Sequence, residues 1–134
     1  MTSVTTATIR TDHHKEAKAP SDSLSSYTAT IINNSRVTLT LTSSASNLQW
    51  TSFPPNTIPP GGTGKFSSPG DFSNPAAGSV EYAGGTGGAI GISWNIPSVG
   101  PNSIRWTQSD KLTISEDGST GGWHVQNTFT VAGG

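Results

Sequence analysis

The sequence predicts an all-β protein. Ser and Thr supply 39 of its 134 residues, and 16 Gly and 9 Pro add many turn-formers. Threonine favours strands, whereas Gly and Pro end them. Apolar residues make up only 31% of the chain, yet they gather in short runs that alternate with polar residues. Such runs at near-regular spacing are typical of a β-sandwich or a β-barrel, and we predict a single-domain β-sandwich of roughly nine or ten short, mainly antiparallel strands.

The first 24 residues differ from the remainder in charge. "SVTTATIR" alternates like a strand, and "TDHHKEAKAPSDS" after it carries most of the charge of the first third. The charged stretch is typical of a solvated loop. We therefore divide the chain into an N-terminal strand and charged loop, residues 1–24, and a β-sandwich domain, residues 25–134.

The next elements are interpreted from alternation and turn chemistry. "YTATIINNSRVTLTLTSS" alternates on both sides of Asn33 and Asn34. Because Asn tolerates positive φ, this pattern predicts a hairpin. "LQWTSF" is predicted as a short strand or strand end. The proline-rich "PPNTIPPGGTG" cannot form a central strand, since proline has no amide for the ladder.

The second half contains the clearest strand pattern. "KFSS", "SVEYA", "SIRWTQS" and "KLTISED" are predicted strands of ordinary length. "AIGISWNI" places Ile90, Ile92, Trp94 and Ile96 on one face. The last strand, "WHVQNTFTVA", places Val125, Asn127, Phe129 and Val131 on one side.

Composition argues against several classes of protein. The formal net charge of −1 does not suit a general nucleic-acid binder, and the lack of cysteine excludes disulfides and thiolate metal sites. No apolar run approaches the ~20 residues of a membrane span. The start of the chain has neither a basic region nor an apolar signal core. We expect a soluble protein without a signal peptide that accumulates in the cytoplasm or leaves by a non-classical route.

The sequence contains no complete motif for phosphate binding, metal binding or nucleophilic catalysis. "GGTGK" is followed by Phe66 rather than Ser or Thr, and no helical pattern begins there, so it is not a phosphate loop. "DHH" at 12–14 lies in the charged stretch without further ligands at metal-binding spacing. No Gly-x-Ser-x-Gly elbow is present. We expect no enzymatic activity, no cofactor and no metal site.

The four tryptophans are the strongest candidates for binding. Alternation places Trp94 and Trp106 on the same faces as neighbouring isoleucines, which favours core packing. Trp50 and Trp123 lie beside strand-breaking segments, where core edge and ligand contact are equally good interpretations. An indole combines an apolar body with one donor, which suits membrane interfaces and sugar faces alike.

The order of several segments resembles the aegerolysin family of small β-sandwich proteins. The segments are "ATIINNSRVTLTL", "LQWTSFPPNTIPPGG", "GSVEY", "ISWNIPSVGPNS" and "HVQNTFTV", and the likeness covers roughly residues 25–134. Ser98, Val99, Gly100 and Pro101 occupy a turn where some members have a second aromatic residue and a lysine.

The resemblance implies recognition of membrane lipids, either sphingomyelin with cholesterol or ceramide phosphoethanolamine. It also implies a larger perforin-like or other toxin partner where such proteins form pores. The lipid-binding residues expected on this basis are Trp94, Trp106, Ser98, Val99, Asn102, Trp50, Trp123 and Tyr82. Two alternatives remain open, namely a carbohydrate-binding lectin that uses the same residues and a non-catalytic interaction or storage protein.

Overall fold

The protein forms ten strands in a computed structural model that describes residues 5–12, 25–71, 73–85, 88–118 and 122–134. The strands are β1 (Thr5–Asp12), β2 (Ser26–Ser35), β3 (Leu39–Ser46), β4 (Thr57–Ile58), β5 (Thr63–Pro69), β6 (Ala76–Ala83), β7 (Ala89–Ile96), β8 (Asn102–Ser109), β9 (Leu112–Gly118) and β10 (His124–Gly133). In these ranges we find no helix with the length and apolar character needed to cross a membrane.

The strands form two sheets that pack against each other. The larger sheet has the order β1-β8-β7-β6-β3-β4, and the smaller has the order β5-β2-β10-β9. Every neighbouring pair is antiparallel except β2 and β10, which run parallel. The predicted all-β sandwich is confirmed.

The core lies between the sheets and follows the alternation of the sequence. Ile90, Ile92, Trp94 and Ile96 of β7 are all buried, and so are the four inward residues of β10, Val125, Asn127, Phe129 and Val131. Burying apolar area of this kind is the main favourable term in folding, at about 25 cal/mol per Å².

Aromatic rings occupy the centre of the sandwich. Trp94 stacks on Tyr27 with ring centroids 4.8 Å apart, and it also contacts the rings of Phe66 and Trp50. Trp106 meets Phe129 edge to face at 5.7 Å. Offset and edge-to-face contacts are the geometries that aromatic quadrupoles favour.

The hairpin prediction at Asn33 and Asn34 is wrong, because both residues lie within β2 and the chain turns only after them, at residues 36–38. β2 lies in the smaller sheet and β3 in the larger one, so this turn carries the chain from one sheet to the other. The buried Asn33 side chain holds the crossing, because its amide donates to the carbonyls of Val37 and Ile58 and its oxygen accepts from the Ser35 backbone. These local bonds replace the ladder that a hairpin would form.

The segment "LQWTSF" forms an isolated bridge instead of the predicted short strand or strand end. Ser52 pairs with Ser67, and the chain then continues through two prolines to β4 at the sheet edge. Prolines confine this stretch to an edge because they lack the amide that a central ladder needs.

β1 extends the larger sheet by pairing along the whole of β8. Residues Thr6–Ile9 are all exposed, so this part of the edge strand contributes ladder hydrogen bonds and little core. The predicted charged loop, residues 11–23, is wrong at its start, since Thr11 and Asp12 belong to β1, and the rest of it lies outside the part of the chain that the structure describes.

Candidate functional site

One end of the sandwich brings together several connections that are distant in sequence. β7 ends and β8 begins there, joined by residues 97–101. The register also places the starts of β2 and β10 side by side, because Ser26 pairs with His124. Residues 122 and 123, which precede β10, therefore reach the same end.

Two hydrogen bonds fasten these connections to each other. The indole N–H of Trp123 donates to the Ser98 carbonyl at 2.8 Å, and the Asn102 amide donates to the Gly122 carbonyl at 2.7 Å. Asn102 is fully buried, so its bond belongs to the framework. Together the two bonds tie the larger sheet to the smaller one. We call residues 97–102 with Gly122 and Trp123 the Trp123 rim.

The Trp123 rim presents an apolar side chain to solvent. Val99 is 51% exposed, and it follows the residue whose carbonyl receives the Trp123 N–H. Gly100 has φ of +98°, a conformation that suits glycine and turns the chain immediately after Val99. The half-buried indole of Trp123 is thus bonded to the residue that precedes the exposed Val99.

An acidic turn lies at the same end of the molecule. The Asp71 carboxylate accepts hydrogen bonds from the backbone amides of Ser73 and Asn74, both at 2.8 Å. The bond from Ser73, followed by that from the Asn74 side chain, lowers the pKa of Asp71. The Asp71 carboxylate therefore stays charged to lower pH than an ordinary aspartate does.

Two of the predicted ligand-binding tryptophans lie in the core. Trp94 is 4% exposed and Trp106 is 7% exposed, so neither ring presents a face to solvent. Their positions fit the core-packing interpretation of the strand pattern.

Tyr82 is also buried in this structure. Its side chain has no exposed surface, and its hydroxyl donates to the Pro55 carbonyl at 2.7 Å. Burial raises the pKa of Tyr82 above its ordinary value. The residue joins the proline-rich connection to the core and does not reach the Trp123 rim.

Trp50 lies beside β5, where its ring contacts those of Phe66 and Trp94. It is half-buried against the core and contacts Phe66 edge to face at 5.9 Å. Of the predicted residues, Ser98, Val99, Asn102 and Trp123 come together, while Trp94, Trp106, Tyr82 and Trp50 do not join them.

Two exposed apolar residues were not predicted from the sequence. Phe53 is 67% exposed and borders a surface cavity of about 520 Å³ with Leu41, Pro54 and Pro55, and Ile9 on β1 is 62% exposed. The signal for Phe53 was available, since an aromatic residue followed by two prolines cannot continue into a ladder that would bury it.

A scan against protein-family models and a search of curated proteins both gave no match to this chain.

Proposed function

We propose that this protein is a non-catalytic module that recognises membrane lipids and docks on the bilayer surface through the Trp123 rim. The observation that carries the proposal is Val99, which is half exposed beside an indole that is fixed by its own hydrogen bond. An amphipathic ring beside an exposed aliphatic side chain suits the boundary between head groups and acyl chains.

The two side chains would contribute in different ways. Trp123 offers its partly exposed ring to a choline or ethanolamine head group, and such a cation–π contact is worth up to about 2 kcal/mol when desolvated. Val99 enters the interfacial region, where full burial of a valine is worth about 1.5 kcal/mol or more. Trp94, Trp106 and Tyr82 are buried in the core, so they would not contact lipid.

The lipid class comes from the resemblance to the aegerolysins. It favours sphingomyelin with cholesterol, or ceramide phosphoethanolamine, as the membrane component recognised. It also favours a larger perforin-like or other toxin partner as the pore-forming component. With a net charge of −1, attraction to anionic lipid contributes little, so we expect binding that depends weakly on salt.

Liposome sedimentation with tryptophan fluorescence tests the proposal. Vesicles of phosphatidylcholine alone, sphingomyelin with cholesterol, phosphatidylcholine with ceramide phosphoethanolamine, and phosphatidylserine would be compared at low and high salt. We expect binding to a sphingolipid-containing vesicle and a blue shift in emission. Val99→Asp should weaken that binding at least about tenfold, because it replaces an inserted valine by a charge.

Phe53→Asp is the matched control, since it introduces the same charge at another exposed apolar residue, which lies outside the Trp123 rim. It should bind vesicles like the unaltered protein. Loss of binding in the Phe53 variant with retention in the Val99 variant would move docking to the surface around Phe53 and contradict the role of the rim. Binding to none of the vesicle types would contradict lipid recognition itself.

A further inference from the structure

The outer face of the smaller sheet carries a groove of polar side chains, far from the tryptophans of the core. It has a volume of about 260 Å³. We call it the hydroxyl groove, and it is lined by Thr28, Thr30, Lys65, Asp117, Gly118, Gln126, Asn127 and Thr128.

The register of the sheet arranges four of these residues in one row. Lys65 pairs with Thr30, Thr30 with Thr128, and Thr128 with Asp117, so the row crosses all four strands. Neighbouring strands lie about 4.8 Å apart, so the row spans about 14 Å. Thr28 and Gln126 form a second, paired row beside it. The groove is therefore long, shallow and lined by groups at regular spacing.

The fold itself does not use these polar groups. Within the described ranges, the side chains of Thr28, Thr30, Thr128 and Gln126 make no hydrogen bond to the protein, and neither Lys65 nor Asp117 has an ion pair. Their donors and acceptors are available to a ligand. By contrast, Asn127 donates its amide to Glu116 at 2.7 Å, which is an internal contact.

The charges and the hydroxyls indicate the ligand class. One cation, Lys65, and one anion, Asp117, stand at opposite ends of the row, so their charges balance and favour an uncharged ligand. Threonine hydroxyls both donate and accept, and their methyl groups can contact the C–H face of a sugar ring. A carboxylate accepts hydrogen bonds from sugar hydroxyls, and a side-chain amide both donates and accepts hydrogen bonds.

We propose that the hydroxyl groove binds a neutral linear oligosaccharide that lies across the strands from Lys65 to Asp117. The length of the row suits a short chain of sugar rings better than a single ring. This mode of binding needs no tryptophan, and the groove lies on a different surface from the Trp123 rim. It is therefore independent of lipid recognition.

The test uses the intact protein and soluble glycans, without membranes. An array of neutral linear oligosaccharides of glucose, mannose, galactose and N-acetylglucosamine would identify a binder. Backbone amide shifts in NMR would then locate the binding site at β2 and β10. We expect the double variant Thr30→Val with Thr128→Val to weaken binding about tenfold or more, because it removes two hydroxyl partners while keeping the shape and strand preference of each side chain.

Thr130→Val is the matched control. Thr130 lies on the same face of β10, two residues beyond Thr128 and outside the groove lining. It should bind like the unaltered protein, whereas Asp117→Asn should weaken binding. No binding by any glycan at about 10 mM, unchanged binding in the double variant, or an equal loss in Thr130→Val would each overturn the proposal.

Discussion

The indole N–H of Trp94 on β7 donates to the Ser68 hydroxyl on β5 at 2.8 Å, and this bond joins the two sheets across the core. Ser68 has no exposed surface, so water cannot replace it as an acceptor. The ring of the same tryptophan stacks on Tyr27. The ring of Trp94 is thus packed against another aromatic ring, and its N–H has a buried acceptor inside the protein.

Ser68→Ala should lower the free energy of unfolding by about 1–3 kcal/mol, because it leaves a buried indole N–H without an acceptor. Urea denaturation followed by tryptophan fluorescence measures the change. Ser67→Ala is the control, since this neighbour points away from the core, and its effect should stay within about 0.5 kcal/mol. Equal effects at the two positions would show that the Trp94 bond contributes nothing.

Asn33→Ala should destabilise the protein by about 3 kcal/mol. The buried side chain satisfies the carbonyls of Val37 and Ile58 and the amide of Ser35, and truncation leaves these groups unpaired. Asn34→Ala is the matched control, because Asn34 is the exposed neighbour at the end of the same strand. Comparison of the two denaturation midpoints checks the prediction, which a midpoint for Asn33→Ala equal to that of the control would contradict.

The two tyrosines should resist ionisation in the folded protein. Burial, and then the charge of Glu116, raises the pKa of Tyr27 well above 10.0, and burial raises that of Tyr82. The native state therefore retains protons that the unfolded state releases near pH 10, so stability holds up to that pH and falls as pH rises further.

Absorbance at the phenolate band measures this effect directly, since the chain has only two tyrosines. We expect little phenolate at pH 10.5 and a cooperative rise that coincides with loss of the native circular dichroism signal. Denaturant-unfolded protein is the control and should titrate near the ordinary value. A native titration midpoint near pH 10 would contradict the burial of both rings.

Alternation was sufficient to predict most of the strands but not their partners. β7 and β10 were identified with their buried faces because period-two patterning depends only on neighbouring residues. The error at Asn33 arose because the same turn chemistry serves a hairpin and a crossing between sheets. Which of the two forms is decided by the distant strands β5 and β10, with which β2 pairs, and a local pattern carries no information about them.

Only part of the candidate site could be predicted, because its contacts also depend on residues that are distant in sequence. Alternation favoured a core position for Trp94, whereas the family resemblance favoured contact with ligand, and the burial of its ring agrees with alternation. The grouping of Trp123 with Ser98 depends on a hydrogen bond between residues 25 apart. The row from Lys65 to Asp117 needs the register of four strands, which the sequence does not specify.

The central place of β10 in the smaller sheet has a consequence for biosynthesis. β2 and β5 emerge from the ribosome early, but the strand that joins them to β9 spans residues 124–133 and is made last of the ten. Before β10 is made, no strand lies between β2 and β9 to pair with both of them. The nascent chain must therefore remain protected from aggregation until residues 124–133 have been made, and a chain truncated before residue 124 would lack the strand that joins β2 to β9.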